Sequence, residues 1–155
     1  MKRISSKDGG IYERRFFGEK AVFDPARLRV FKQGDGYQNF RFCLDEVRRE
    51  QEKVGWNPAV PSTHISQYLF EKVKADLAEE HRQKLRLYCA IGSRLDYFHG
   101  IDGFFELNDK IFTFDIKAGS GSAKTNINMV IRKQAGLYRY LRQVSRLIAG
   151  ALEEK

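Results

Sequence analysis

The run Ile111-Phe112-Thr113-Phe114-Asp115-Ile116-Lys117 constrains this chain more than any other stretch. β-Branched and aromatic residues dominate it, which is strand composition, yet an aspartate and a lysine are set into it two residues apart. On a strand, positions i and i+2 share a face, so the carboxylate and the ammonium point the same way. One strand earlier, Gly100-Ile101-Asp102-Gly103-Phe104-Phe105 carries a third charge in similar surroundings, joined to the first run by the turn-forming Asn108-Asp109-Lys110. Two neighbouring strands can therefore gather Asp102, Asp115 and Lys117. Taken singly, each has a plain alternative: a turn aspartate before glycine, or a solvated ion pair at a strand end. Jointly they ask for more, because a charge within an apolar strand must be paired, hydrogen-bonded or bound to metal. Two carboxylates aimed at one point are hard oxygen ligands suited to Mg²⁺ or Mn²⁺. A lysine beside them can orient or deprotonate a water and balance the charge of a phosphate.

Charge points to the same kind of partner. Twenty-eight Lys and Arg against 20 Asp and Glu give +8 over 155 residues, which favours a polyanion. With 42% hydrophobic and 31% charged residues the composition is that of a globular domain. No apolar run reaches the ~18 residues of a membrane span, and the first ten residues lack the apolar centre of a signal peptide, so a soluble, intracellular protein is expected. Cys43 and Cys89 sit in apolar settings with no C-x-x-C, which predicts buried reduced thiols and neither zinc nor a disulfide framework. Gly119-Ser120-Gly121-Ser122 lacks the G-K-[ST] ending of a P-loop, so no nucleotide cofactor is expected.

Along the chain, Leu28 to Phe42 reads as a β-hairpin around Gly34-Asp35-Gly36, and Leu44 to Val54 as a charged surface helix. Gly55 to Pro61 is a break. Ser62-Thr63 offer N-caps for a helix over 63–82, whose Ile65, Leu69, Val73 and Leu77 recur every four residues. Strands follow at 85–91, expected to be central, 101–107 and 111–117. The loop 118–126 contains Lys124, placed to meet a phosphate. From 128 to 150 the pattern is helical again, with Gln134 where an apolar residue facing the sheet is expected. Arg132, Arg139 and Arg146, seven apart, share another face of that helix and form a candidate phosphate track.

The Gly100-Ile101-Asp102-Gly103 element, then Asp115-Ile116-Lys117, then Gln134-Ala135-Gly136-Leu137-Tyr138, resembles in order the core motifs of the PD-(D/E)xK nuclease superfamily, in its RecB-type, λ exonuclease-like branch. The likeness covers roughly residues 63–147. It implies an α/β fold with a restriction-endonuclease-like three-layer core, a central mixed sheet flanked by helices. The core would be residues 63–155, with residues 1–62 a hairpin-and-helix extension packed on it, adding to the sheet or covering one edge. It implies that Asp102, Asp115 and the main-chain carbonyl of Ile116 hold Mg²⁺ or Mn²⁺. A helix residue would complete the shell, Glu71 by preference, His64 second, with Asp76 and Glu80 also considered. Lys117 would position the attacking water, and Gln134 and Tyr138 would orient the lysine and the nucleic-acid backbone. His99 and Asp96 are weaker candidates near Asp102. The expected activity is metal-dependent hydrolysis of DNA, with RNA the alternative substrate. The competing readings are a nucleic-acid-binding module that does not cut, and a basic protein-interaction domain.

Overall fold

Three strands form an antiparallel meander, β1 (Arg86–Cys89), β2 (Gly103–Leu107) and β3 (Lys110–Lys117), and β4 (Met129–Arg132) adds to β3 in parallel. In the computed structural model, which describes residues 13–24, 26–32, 36–117, 127–132 and 135–154 without the side chains at 28 and 29, this four-stranded mixed sheet is flanked by helices. They are a helical turn at 13–17, α1 (Arg27–Lys32), α2 (Phe40–Gln51), α3 (His64–Asp76), α4 (Arg94–His99) and α5 (Leu137–Leu152). The protein is thus α/β.

The alternation of side chains along the strands builds two cores. Leu87, Cys89, Phe105, Leu107, Phe112, Phe114, Ile116 and Ile131 point to one face, where α3, α5 and the aromatic pair Phe16 and Phe17 bury them. Ala90 and Phe104 point to the other, where Cys43, Leu44 and Val47 of α2 and Leu95 of α4 pack. α3 starts on a Thr63–Ser66 capping box and runs beside α5. Asp76 and Arg142 clamp the two helices through hydrogen bonds of 2.7 and 3.2 Å. Among the described residues no helix is long and apolar enough to cross a membrane.

Four expectations are corrected. The hairpin over 28–42 is absent where described: α1 replaces its first arm, and α2 begins within its second, because Asn39 caps it, its Oδ1 accepting from the Phe42 amide at 2.9 Å. α2 is not a surface helix. Its few apolar residues fall at spacings of three and four, so Cys43, Leu44, Val47 and Gln51 form one buried stripe. β1 is an edge strand, and its edge is covered. Pro58 O accepts from the Leu87 amide, Gln51 Oε1 from the Cys89 amide, and the Trp56 indole donates to Leu87 O. Finally, the helix expected over 128–150 begins at Leu137, since Met129–Arg132 is the strand β4. Described residues between 13 and 60 therefore belong to both cores, Phe16, Phe17 and Trp56 to one and Phe23, Cys43, Leu44 and Val47 to the other. Phe16, Phe17 and Phe23 are each fully or almost fully buried, at roughly 1.5–3 kcal/mol apiece.

Candidate active site

β2 pairs with β3 in the register Gly103 to Phe114, and one more step sets Asp102 directly across from Asp115, with the Asp102 amide donating to Phe114 O at 3.0 Å. Opposed residues of an antiparallel pair project to the same face. Lys117, two residues on, shares it, and its Nζ lies 3.0 Å from Asp115 Oδ2. Asp102 is 2% exposed and its Oδ2 accepts from the Ile116 amide at 2.7 Å. The N–H and C=O of one strand residue lie on one edge, so the Ile116 carbonyl opens toward the edge where Asp102 stands.

Two further carboxylates act on this pair. Asp96 belongs to α4, whose N-cap is Ser93, and its Oδ2 accepts from the Gly92 amide at 2.9 Å. Glu13 comes from the helical turn at 13–17, where it shares a helix face with Phe17 four residues on. Phe17 is anchored against the sheet at the two residues that adjoin the aspartates. It stacks on Phe114 with ring centroids 6.1 Å apart, and a Cβ on Gly103 would come within 2.6 Å of its ring and 2.7 Å of the Phe114 ring. Glycine at 103 is thus what lets Phe17 approach, and Phe17 fixes the turn that carries Glu13. The Asp-Gly step is a packing requirement of a strand start, not a turn.

Crowding of like charges in a buried place raises carboxyl pKa values. Asp102 is pushed well above the usual carboxylate range, first by burial, then by Asp96 and Glu13, and by the hydrogen bond and charge of Asp115. Glu13 is pushed up to about 8 by burial, then by Asp96 and Asp115, against the lowering pull of Arg14 and Lys117. Among the described residues no three His, Cys, Asp or Glu side chains form a ready-made metal cage. Mg²⁺ does not demand one, because it is commonly held by one or two carboxylates, keeping its remaining positions for water and substrate phosphates. Asp102 and Asp115 fit that requirement, and a cation between them would relieve the crowding that holds protons on the cluster.

The remaining sequence-based candidates fall elsewhere. Glu71 and His64 are exposed on α3, which packs on the opposite face of the sheet from Asp115 and Lys117, and neither is among the main charges that shift Asp102 or Glu13. With Gln67, Tyr68, Lys72 and Tyr138 they line a groove of about 440 Å³ between α3 and α5. Helix carboxylates that do act on Asp102 are Asp96 and Glu13. Asp76 is committed to Arg142, and Glu80 is exposed. His99 is buried among aromatic rings, its Nε2 3.0 Å from Gln38 O, and serves packing. Arg132 leaves the expected helical track, since it sits on β4 across from Lys117, while Arg139 and Arg146 are exposed on α5. Lys124 and Gln134 lie outside the described residues. Sequence reading missed Glu13, although Glu13 and Phe17 stand four apart in Ile-Tyr-Glu-Arg-Arg-Phe-Phe, which is helix spacing. The chain matches no family model, no curated protein and no solved structure.

Proposed function

We propose that this protein is a divalent-metal-dependent nuclease that hydrolyses phosphodiester bonds of DNA, with the restriction-endonuclease-like architecture that its motifs resemble. The observation that carries the reading is the direct opposition of Asp102 and Asp115 on two paired strands, with Lys117 beside them and Glu13 and Asp96 acting on the same point. In a chain of net charge +8, a knot of carboxylates at one place repels phosphate unless a cation stands between them. That argues against a module that only binds nucleic acid, for which such a cluster is a handicap. Asp102 and Asp115, with the Ile116 carbonyl, would hold the cation. Mg²⁺ or Mn²⁺ there would polarise the phosphodiester and lower the pKa of a water. Lys117 Nζ, held by Asp115, is a cation that would orient that water or meet the phosphate.

The test is incubation of linear, circular and branched DNA with the protein and Mn²⁺ or Mg²⁺. Cleavage by the wild type and none by Asp115→Asn, with both proteins melting alike, is the expected result. The variant should fold, because removing one of two crowded charges is neutral or stabilising without metal. No cleavage by the wild type in either metal would leave the binding reading in its place.

A further inference from the structure

The groove between α3 and α5 gathers groups that the candidate active site does not use. Tyr68 and Tyr138 meet edge to face, with ring centroids 4.8 Å apart and planes at 85°, so they form an aromatic corner. Tyr138 is 43% exposed although it is a large ring on a packed helix. Lys72 Nζ stands 5.3 Å from the centre of the Tyr68 ring. Gln67, His64 and Glu71 complete the lining with donors and acceptors. About 440 Å³ suits one flat ring system with its sugar, at the lower end of the range for small-ligand clefts. The lining carries Lys72 and Glu71, and outside it the neighbouring Arg139 is exposed, Arg146 lies two turns further along α5, and the Asp76 carboxylate is paired with Arg142. The start of α3 is tied to the turn that bears Glu13. Thr63, the cap of α3 directly before His64, donates its hydroxyl to Phe16 O, and Phe16 lies on the turn that carries Glu13.

We infer that the Tyr68–Tyr138 groove is a stacking subsite for one unpaired nucleobase of single-stranded DNA, a reading that rests on DNA being the substrate. Stacked bases inside a duplex have both faces covered, so only a base at an end or in a single strand has a face to offer Tyr138. Base–aromatic stacking tolerates any sequence, and the polar lining meets whichever base edge enters. Lys72 and Arg139 are placed for the flanking phosphates, which carry no base identity. The site thereby selects DNA with an unpaired stretch.

The test is fluorescence anisotropy of a labelled oligothymidylate, and of an abasic oligomer of the same length, with the full chain in EDTA so that no cleavage occurs. The wild type should bind oligothymidylate more tightly than the abasic oligomer. Tyr138→Ala should lose about 5- to 150-fold in affinity for oligothymidylate, the scale of one stacked base, and keep its affinity for the abasic oligomer. Tyr138→Phe should restore most of the loss, since the ring stacks without its hydroxyl. If Tyr138→Ala binds both oligomers as the wild type does, or weakens both equally, no base stacks there and the subsite is refuted. A wild type that binds neither oligomer refutes the subsite together with the DNA reading. One that prefers bases through Tyr138 yet never cuts with Mn²⁺ refutes the nuclease reading alone.

Discussion

Glu13 holds a carboxyl far from its ordinary range. Its carboxyl ordinarily titrates near 4.5 and is pushed up to about 8 here. A folded-state pKa above the unfolded one means that the native protein holds the extra proton. The contribution is therefore complete below the ordinary value and is lost as pH rises toward about 8. The melting temperature of the metal-free protein should fall across that window, and Glu13→Gln should flatten the fall because it removes the titrating group; an unchanged pH profile would detach Glu13 from the cluster. Lys117 makes a separate claim. Lys117→Ala should lower the cleavage rate on the order of 10²-fold or more while Mn²⁺ still binds, since the lysine is assigned to the reaction and not to the metal. An unchanged rate would make it only the ion-pair partner of Asp115. At this scale the aspartates and the lysine were legible, because a charge in an apolar strand stands out in any sequence. Glu13 was not, because a glutamate followed by two arginines has the look of an exposed residue until Phe17 is known to be buried.

At the scale of elements, strands β2 and β3 were legible almost to the residue, since alternation and a tight turn are local signals. The edge position of β1 was not, because it is decided by Gln51, Trp56 and Pro58, which lie some 30 residues or more away along the chain. β4 was hidden for a similar reason. Four residues, Met129–Arg132, are too few to show a period of two, and pairing with β3 makes them a strand. The hairpin misreading came from Gly34-Asp35-Gly36, a strong turn signal whose flanking runs suit a helix once Asn39 caps the second of them. One glycine links the elements to the site. Gly103→Ala inserts a methyl group 2.6 and 2.7 Å from two ring carbons and 2.9 Å from Tyr88 O. Overpacking of that kind costs about 1–3 kcal/mol, so the urea midpoint should drop accordingly. Cleavage should fall further than stability does, because Phe17 and the turn bearing Glu13 must move; a drop in stability with full activity would separate the N-terminal turn from the site.

Over the whole molecule, the proposed function joins the excess of basic residues to the buried acidic cluster: the surface would attract a polyanion, and a cation held by the cluster would receive one of its phosphates. Phosphate contacts by Arg139 and Arg146 on α5 should appear as salt dependence. Each contact removed, by Arg139→Ala or Arg146→Ala, should reduce the slope of log K against log salt by roughly 0.7 for single-stranded DNA or 0.9 for duplex, alike for unrelated sequences. Variants that bind as the wild type does at every salt concentration would move the track away from α5. Metal-dependent cleavage depends most on Asp102 and Asp115 holding a divalent cation, and calorimetric titration with Mn²⁺ reads that directly. The wild type should bind the ion with release of protons from the crowded carboxyls, and Asp115→Asn, folded to the same melting temperature or above, should bind it weakly or not at all. Equal Mn²⁺ binding by the wild type and Asp115→Asn would contradict the account.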